Sequence, residues 1–130
     1  MTVEEMSQRI VAAVRDIGGG VSFVEIVSAV GEEAKGDLRI GWPELNVQLW
    51  FGVSEDFINA FNLAKQHIYP HSSDFMVYMM DGAVPDMPVA KQLRKRYKEP
   101  HWLPVVWWPR SAKQPKRLSD VRTDALKRMK

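Results

Sequence analysis

The chain contains no cysteine. That excludes disulfides, thiolate metal centres and cysteine nucleophiles, and it fits a reducing compartment. No apolar run approaches the roughly 18 residues that would span a bilayer. Residues Met1 to Val14 carry Glu4, Glu5 and Arg9, so the apolar stretch of a signal peptide is missing too. The expectation is a soluble, cytoplasmic protein with no membrane partner.

Catalytic frames are also missing. "DIGGGVS", residues 16–22, has three glycines but follows a helical pattern and not a strand, the wrong context for a phosphate loop. "GVSEDF", residues 52–57, lacks the glycine after serine that a nucleophile elbow needs. His67 and His71 have the spacing of metal ligands on a helix, but Pro70 between them opposes a helix there. The residues point to a non-enzymatic protein with no metal and no cofactor.

Positive charge is scarce over most of the chain and then abundant. Residues 1–90 hold five Lys/Arg against thirteen Asp/Glu, a net of −8, and residues 91–130 hold thirteen against three, a net of +10. An acidic body with a basic end suits a tail that meets a polyanion, or one that folds back on its own carboxylates. The 130 residues, 45% of them hydrophobic, suffice for one core.

Thr2 with Glu5 and Ser22 with Glu25 are capping boxes. Met6, Ile10, Val14 and Ile17 recur at helical spacing, which predicts a helix over 3–17 stopped by Gly18-Gly19-Gly20. Phe23, Ile26, Val27 and Val30 predict a second, ended by Gly31. Leu38, Ile40 and Trp42 alternate with Arg39 and Gly41 as a half-buried strand does, and Val47 to Val53 reads as another. Ser54 caps a third helix, Ser54–Gln66, whose apolar face is Phe57, Ile58, Phe61 and Ala64. His67-Ile68-Tyr69 and Phe75 to Met80 are expected to pair as a hairpin across Pro70–Asp74. Val89, Leu93 and Tyr97 predict a short basic helix over 89–97, and Trp102 to Trp108 a strand.

Three helices followed by a β-hairpin resemble a winged-helix domain over about 3–82. The resemblance implies an α+β fold in which the third helix reads a DNA groove and the hairpin, or wing, touches the backbone. On this chain Asn59, Asn62 and Lys65 would face bases. Two features depart from the family pattern. Gly31 to Val53 is long for a connection between second and third helices, and the third helix carries one cation where phosphate contacts call for several. The expected organisation is a winged-helix-like domain over 1–110 and a basic, flexible tail over 111–130. That tail together with Arg110, "RSAKQPKRLSDVRTDALKRMK", has eight Lys/Arg and two acids.

Lys91, Arg94, Lys95, Arg96 and Lys98 form the densest charge in the chain. With Lys113, Lys116 and Arg117 they are the expected phosphate contacts, and a solvated helix face is the alternative reading. Trp102, Trp107 and Trp108 lie in a run with no polar side, which suits the core or an interface better than base stacking. Cations interleaved with exposed aromatics would mark stacking, and here they lie outside the run. Two functions stay open. One is a regulatory protein that binds nucleic acid, most simply DNA, through its basic C-terminal segment. The other is a protein-interaction or homodimer module with an acidic body.

Overall fold

Both capping boxes form. The Glu5 amide donates to Thr2 Oγ1 (3.0 Å) and the Thr2 amide to Glu5 Oε1 (2.9 Å), which starts α1, Val3–Ile17. Ser22 and Glu25 do the same for α2, Phe23–Val30. The fold, a computed structural model, is described for residues 1–73, 76–80, 82–110 and 126–129. It is α+β. After α2 come strands β1, Lys35–Trp42, and β2, Val47–Val53, then helix α3, Glu55–Ala64. Strand β3, Ile68–Ser72, and a short helix α4, Met76–Met80, follow. Strands β4, His101–Trp102, β5, Val105–Pro109, and β6, Lys127–Met129, complete it. Among the described residues no helix is long and apolar enough to cross a membrane.

The strands form two sheets. One has the order β4-β2-β1-β6, and the other pairs β3 with β5 antiparallel. Val21, between α1 and α2, extends the second sheet: its amide donates to the Trp107 carbonyl (3.1 Å) and its carbonyl accepts from the Trp107 amide (2.9 Å). The tight α1–α2 connection depends on Gly19, at φ 136°, where a Cβ would lie 2.1 Å from Trp108 Cε3. An aromatic cluster joins helices to sheets. Phe61 meets Trp107 edge-on at 4.8 Å, Tyr78 meets Trp102 edge-on at 5.1 Å, and Trp50 lies 5.0 Å from Tyr78. Such pairs stabilise by roughly 0.5–1.5 kcal/mol each beyond area burial.

Four expectations are corrected here. The partner of the strand after α3 is β5 and not Phe75–Met80. Met76–Met80 is helical because one side chain dominates it: Tyr78 is fully buried, donating to the Val105 carbonyl (2.6 Å) and accepting from the Phe23 amide (3.0 Å). Met76, Met79 and Met80 then turn outward, and the run enters the core through Tyr78 and not through its methionines.

The Trp-rich run is two strands in two sheets. Leu103 donates to the Gln48 carbonyl while Pro104, which has no amide hydrogen, marks the crossing from β4 to β5. Trp102 and Trp107 are buried inside this chain, so they offer no interface. Trp108 is half-buried over Gly19.

Residues 89–97 are not a helix. Tyr97 folds back so that its hydroxyl accepts from the Lys91 (2.9 Å) and Gln92 (3.2 Å) amides, and Gln92 Oε1 accepts from Arg94 and Lys95 amides. Side chains thereby take the Gln92, Arg94 and Lys95 amides that a helix over 89–97 would have bonded to carbonyls four residues back.

The last correction concerns the C-terminal tail. Its end, Lys127–Met129, is a strand on the edge of β1, with Arg39 opposite Met129 and Gly41 opposite Lys127. Leu126 and Met129 are buried, so this part belongs to the body.

Candidate functional site

The basic segment 91–98 wraps over the β1–β2 turn. Asn46, at φ 59°, shapes that turn, and its Nδ2 donates to the carbonyls of Tyr97 and Lys98, both at 3.3 Å. The Tyr97 amide donates to the Leu45 carbonyl (3.1 Å) and the His101 amide to the Asn46 carbonyl (3.0 Å). The Tyr97 ring stacks on His101 with centroids 3.7 Å apart. Leu93 is buried beneath the loop. The backbone is therefore fixed from inside, and the charges are left outside. Lys91, Arg94, Lys95, Arg96 and Lys98 are all exposed. Among the described residues none of the five has a carboxylate partner. Backbone groups, the Arg96 guanidinium and the Leu93 side chain hold the loop to the body, and among the described residues none of its cations pairs with a carboxylate.

Arg96 links this loop to α3. Its guanidinium donates to the Pro43 carbonyl (2.9 Å), and Pro43 lines a cleft of about 450 Å³ with Ile58, Asn59, Asn62 and the β6 segment. Asn59 is exposed there, as the sequence reading requires of a base-facing residue. Asn62 is not available in the same way. Its Nδ2 donates to the Leu126 carbonyl (3.0 Å) and its Oδ1 accepts from the Leu126 amide (2.8 Å), so both ends of the amide are occupied. Lys65 caps the end of α3, and its carbonyl accepts from the Arg110 guanidinium (3.2 Å).

Two carboxylates at the site are ion-paired. Lys127 pairs with Glu44 (3.4 Å) and Arg128 with Glu55. Both pairs are exposed and contribute little stability, about 0–1 kcal/mol each. Their electrostatic effect is larger than their energetic one: the negative charge nearest the cleft is offset.

Comparison with family models, curated proteins and solved structures finds no match.

Lys113, Lys116 and Arg117 lie outside the described residues. The described chain stops at Arg110, bonded to the Lys65 carbonyl, and resumes at Leu126, bonded to Asn62. Asn62 is in the last turn of α3 and Lys65 caps its end.

The structure thus brings the 91–98 cations to the Pro43 edge of the cleft that Asn59 and the β6 cations line, and it buries Trp102 and Trp107 in the core. Sequence reasoning missed Lys127, Arg128, Asn46 and Tyr97 as parts of the site. Tyr97 was legible only as the third member of a helical stripe, and Asn46 carried no signal beyond its place after Pro43-Glu44-Leu45.

Proposed function

We propose that the protein binds nucleic acid, without catalysing a reaction on it, through the basic loop 91–98 beside the outer face of α3. The observation that carries this is the unpaired state of Lys91, Arg94, Lys95 and Lys98 on a backbone held rigid by Asn46, Gln92 and Tyr97. Preordered cations lose little entropy on meeting phosphates, and each neutralised phosphate releases counterions. The same proposal takes the chain as winged-helix-like, with α1, α2 and α3 followed by the β3–β5 pair, whose Trp107 bonds Val21. The wing in this proposal is the β3–β5 pair. Asn59 faces the bases, Lys65 lies at the end of α3, and Lys113, Lys116 and Arg117 add phosphate contacts.

Fluorescence anisotropy of a labelled 20-mer, duplex or single-stranded, tests the reading at low salt. The Lys91→Glu/Lys95→Glu/Lys98→Glu protein should bind at least tenfold more weakly than wild type. Equal affinity of the two would remove the loop from the function.

A second reading has one observation in its favour. Met76, Met79 and Met80 are exposed, Met80 at 83%, with Val84 nearby in sequence. Exposed methionines are adaptable contact surfaces, so a protein partner or a second copy is the alternative occupant. Sedimentation over a concentration series checks the second copy.

A further inference from the structure

A smaller cleft shares no residue with the one beside α3. It measures about 240 Å³ and is lined by Arg39, Gln48 and Phe51 of the four-stranded sheet and by Pro85, Asp86 and Met87 of the loop after α4. Phe51, Pro85 and Met87 give it apolar lining, and Arg39 and Asp86 give it charged lining. Gln48 also lines it, and Gln48 is out of place. The residue is 1% exposed, and its Oε1 is buried without a hydrogen-bond partner. The Gln48 backbone carbonyl is satisfied by the Leu103 amide at 3.0 Å, so the deficit is confined to the side chain.

A buried acceptor left unpaired costs about 1–3 kcal/mol relative to one that is bonded. Leucine or methionine would fill the same space in the sheet without that cost. A glutamine here is explained if something from outside supplies the missing donor. The volume is below the roughly 300–1,000 Å³ of pockets for drug-sized ligands, so it suits a single ring system. The walls suit a flat one, since Phe51 offers an aromatic face and Met87 a polarisable thioether. Glutamine is also a side chain that reads base edges, pairing its amide with a donor and an acceptor on one edge.

We infer that this cleft takes one unpaired nucleobase, whose N–H donates to Gln48 Oε1 while its face packs on Phe51 and Met87. The inference rests on the nucleic-acid reading for its choice of ligand. The positions agree with it. Gln48 lies two residues after Asn46, which holds the basic loop, and Met87 lies four residues before Lys91. A strand whose phosphates track the loop could turn one base into the cleft. A base in duplex would first have to leave its stack, at a cost of a few kcal/mol. Single strands are therefore the favoured form.

The test uses the full-length, isotope-labelled protein and the four nucleoside monophosphates AMP, GMP, CMP and UMP, which need no contact with the loop. The expected result is saturable movement of the Gln48 side-chain amide and of the Phe51 and Met87 backbone amides with at least one of them. A roughly millimolar Kd is expected for so small a ligand. Gln48→Met should abolish that movement and raise the thermal midpoint, because it removes the unpaired acceptor at nearly constant volume. Phe51→Leu, at a half-buried position, should weaken the response several-fold and serves if Gln48→Met does not fold. No saturable shift with any of the four, or the same shifts in Gln48→Met, overturns the inference. Polynucleotide and monophosphate binding by the wild-type protein separate the two readings. Monophosphate shifts in a wild-type protein that binds no polynucleotide support the cleft and sink the loop. Salt-dependent polynucleotide binding with no monophosphate shift does the reverse.

Discussion

The Asn62 side chain holds the Leu126 backbone from both sides, donating to its carbonyl at 3.0 Å and accepting from its amide at 2.8 Å. A helix side chain here does what a neighbouring strand would do, and it seats β6 against α3. Asn62→Ala should leave a part-buried amide and carbonyl without partners and cost about 1–3 kcal/mol. Urea unfolding monitors it.

Tyr78 connects three elements through one hydroxyl, between the Phe23 amide and the Val105 carbonyl. Tyr78→Phe keeps the ring in the Trp50 and Trp102 cluster and strands both backbone groups. The expected loss is about 1–3 kcal/mol with an unchanged denaturant slope. A near-neutral result would mean that the hydroxyl does not bridge these groups.

These two residues also show where the sequence stopped being informative. Capping at Thr2, Ser22 and Ser54 involves residues three apart, so α1, α2 and α3 were legible, as were β1 and β2 from their periodicity and from Pro43. The strand pairing Ile68–Ser72 with Val105–Pro109 closes a long loop, and no local pattern in either segment names its partner. "MVYMM" fits a strand or a helix equally over five residues, and the Tyr78 hydroxyl, a tertiary contact, decides it. Val89, Leu93 and Tyr97 have helical spacing, but Gln92 and Tyr97 bond the amides a helix needs. For the site, the loop cations were visible as composition. Their freedom from carboxylates was not, because it depends on Asn46 holding the loop by its carbonyls. Asn62 looked available for bases, and its engagement by Leu126 reaches 64 residues along the chain.

Gly19 admits no side chain. At φ 136° an L-residue is strained, and its Cβ would overlap the Trp108 ring at 2.1 Å. Gly19→Ala should destabilise by more than about 2 kcal/mol and shift the tryptophan emission, since Trp108 must move.

The Glu5 carboxyl is held below the usual glutamate range, first by the hydrogen bond from the Thr2 amide and then by the Thr2 side chain. A depressed folded value gives stability that is present above the unfolded value and lost as pH falls through the folded one. Stability should therefore drop below the ordinary glutamate range in part through this cap. Glu5→Gln should remove the charge-dependent part of the cap, lowering the midpoint slightly at neutral pH and flattening that acid limb, as thermal midpoints across pH 2–7 will show.

The central claim is that the 91–98 cations meet phosphates, and the most direct measurement is the salt dependence of polynucleotide affinity. Log Kobs against log salt should be linear and steep for wild type. Removing Lys91, Lys95 and Lys98 together should lower the slope by about 2–3, near 0.7–0.9 for each lost contact. A wild-type affinity indifferent to salt, or a slope unchanged by the triple substitution, would contradict it.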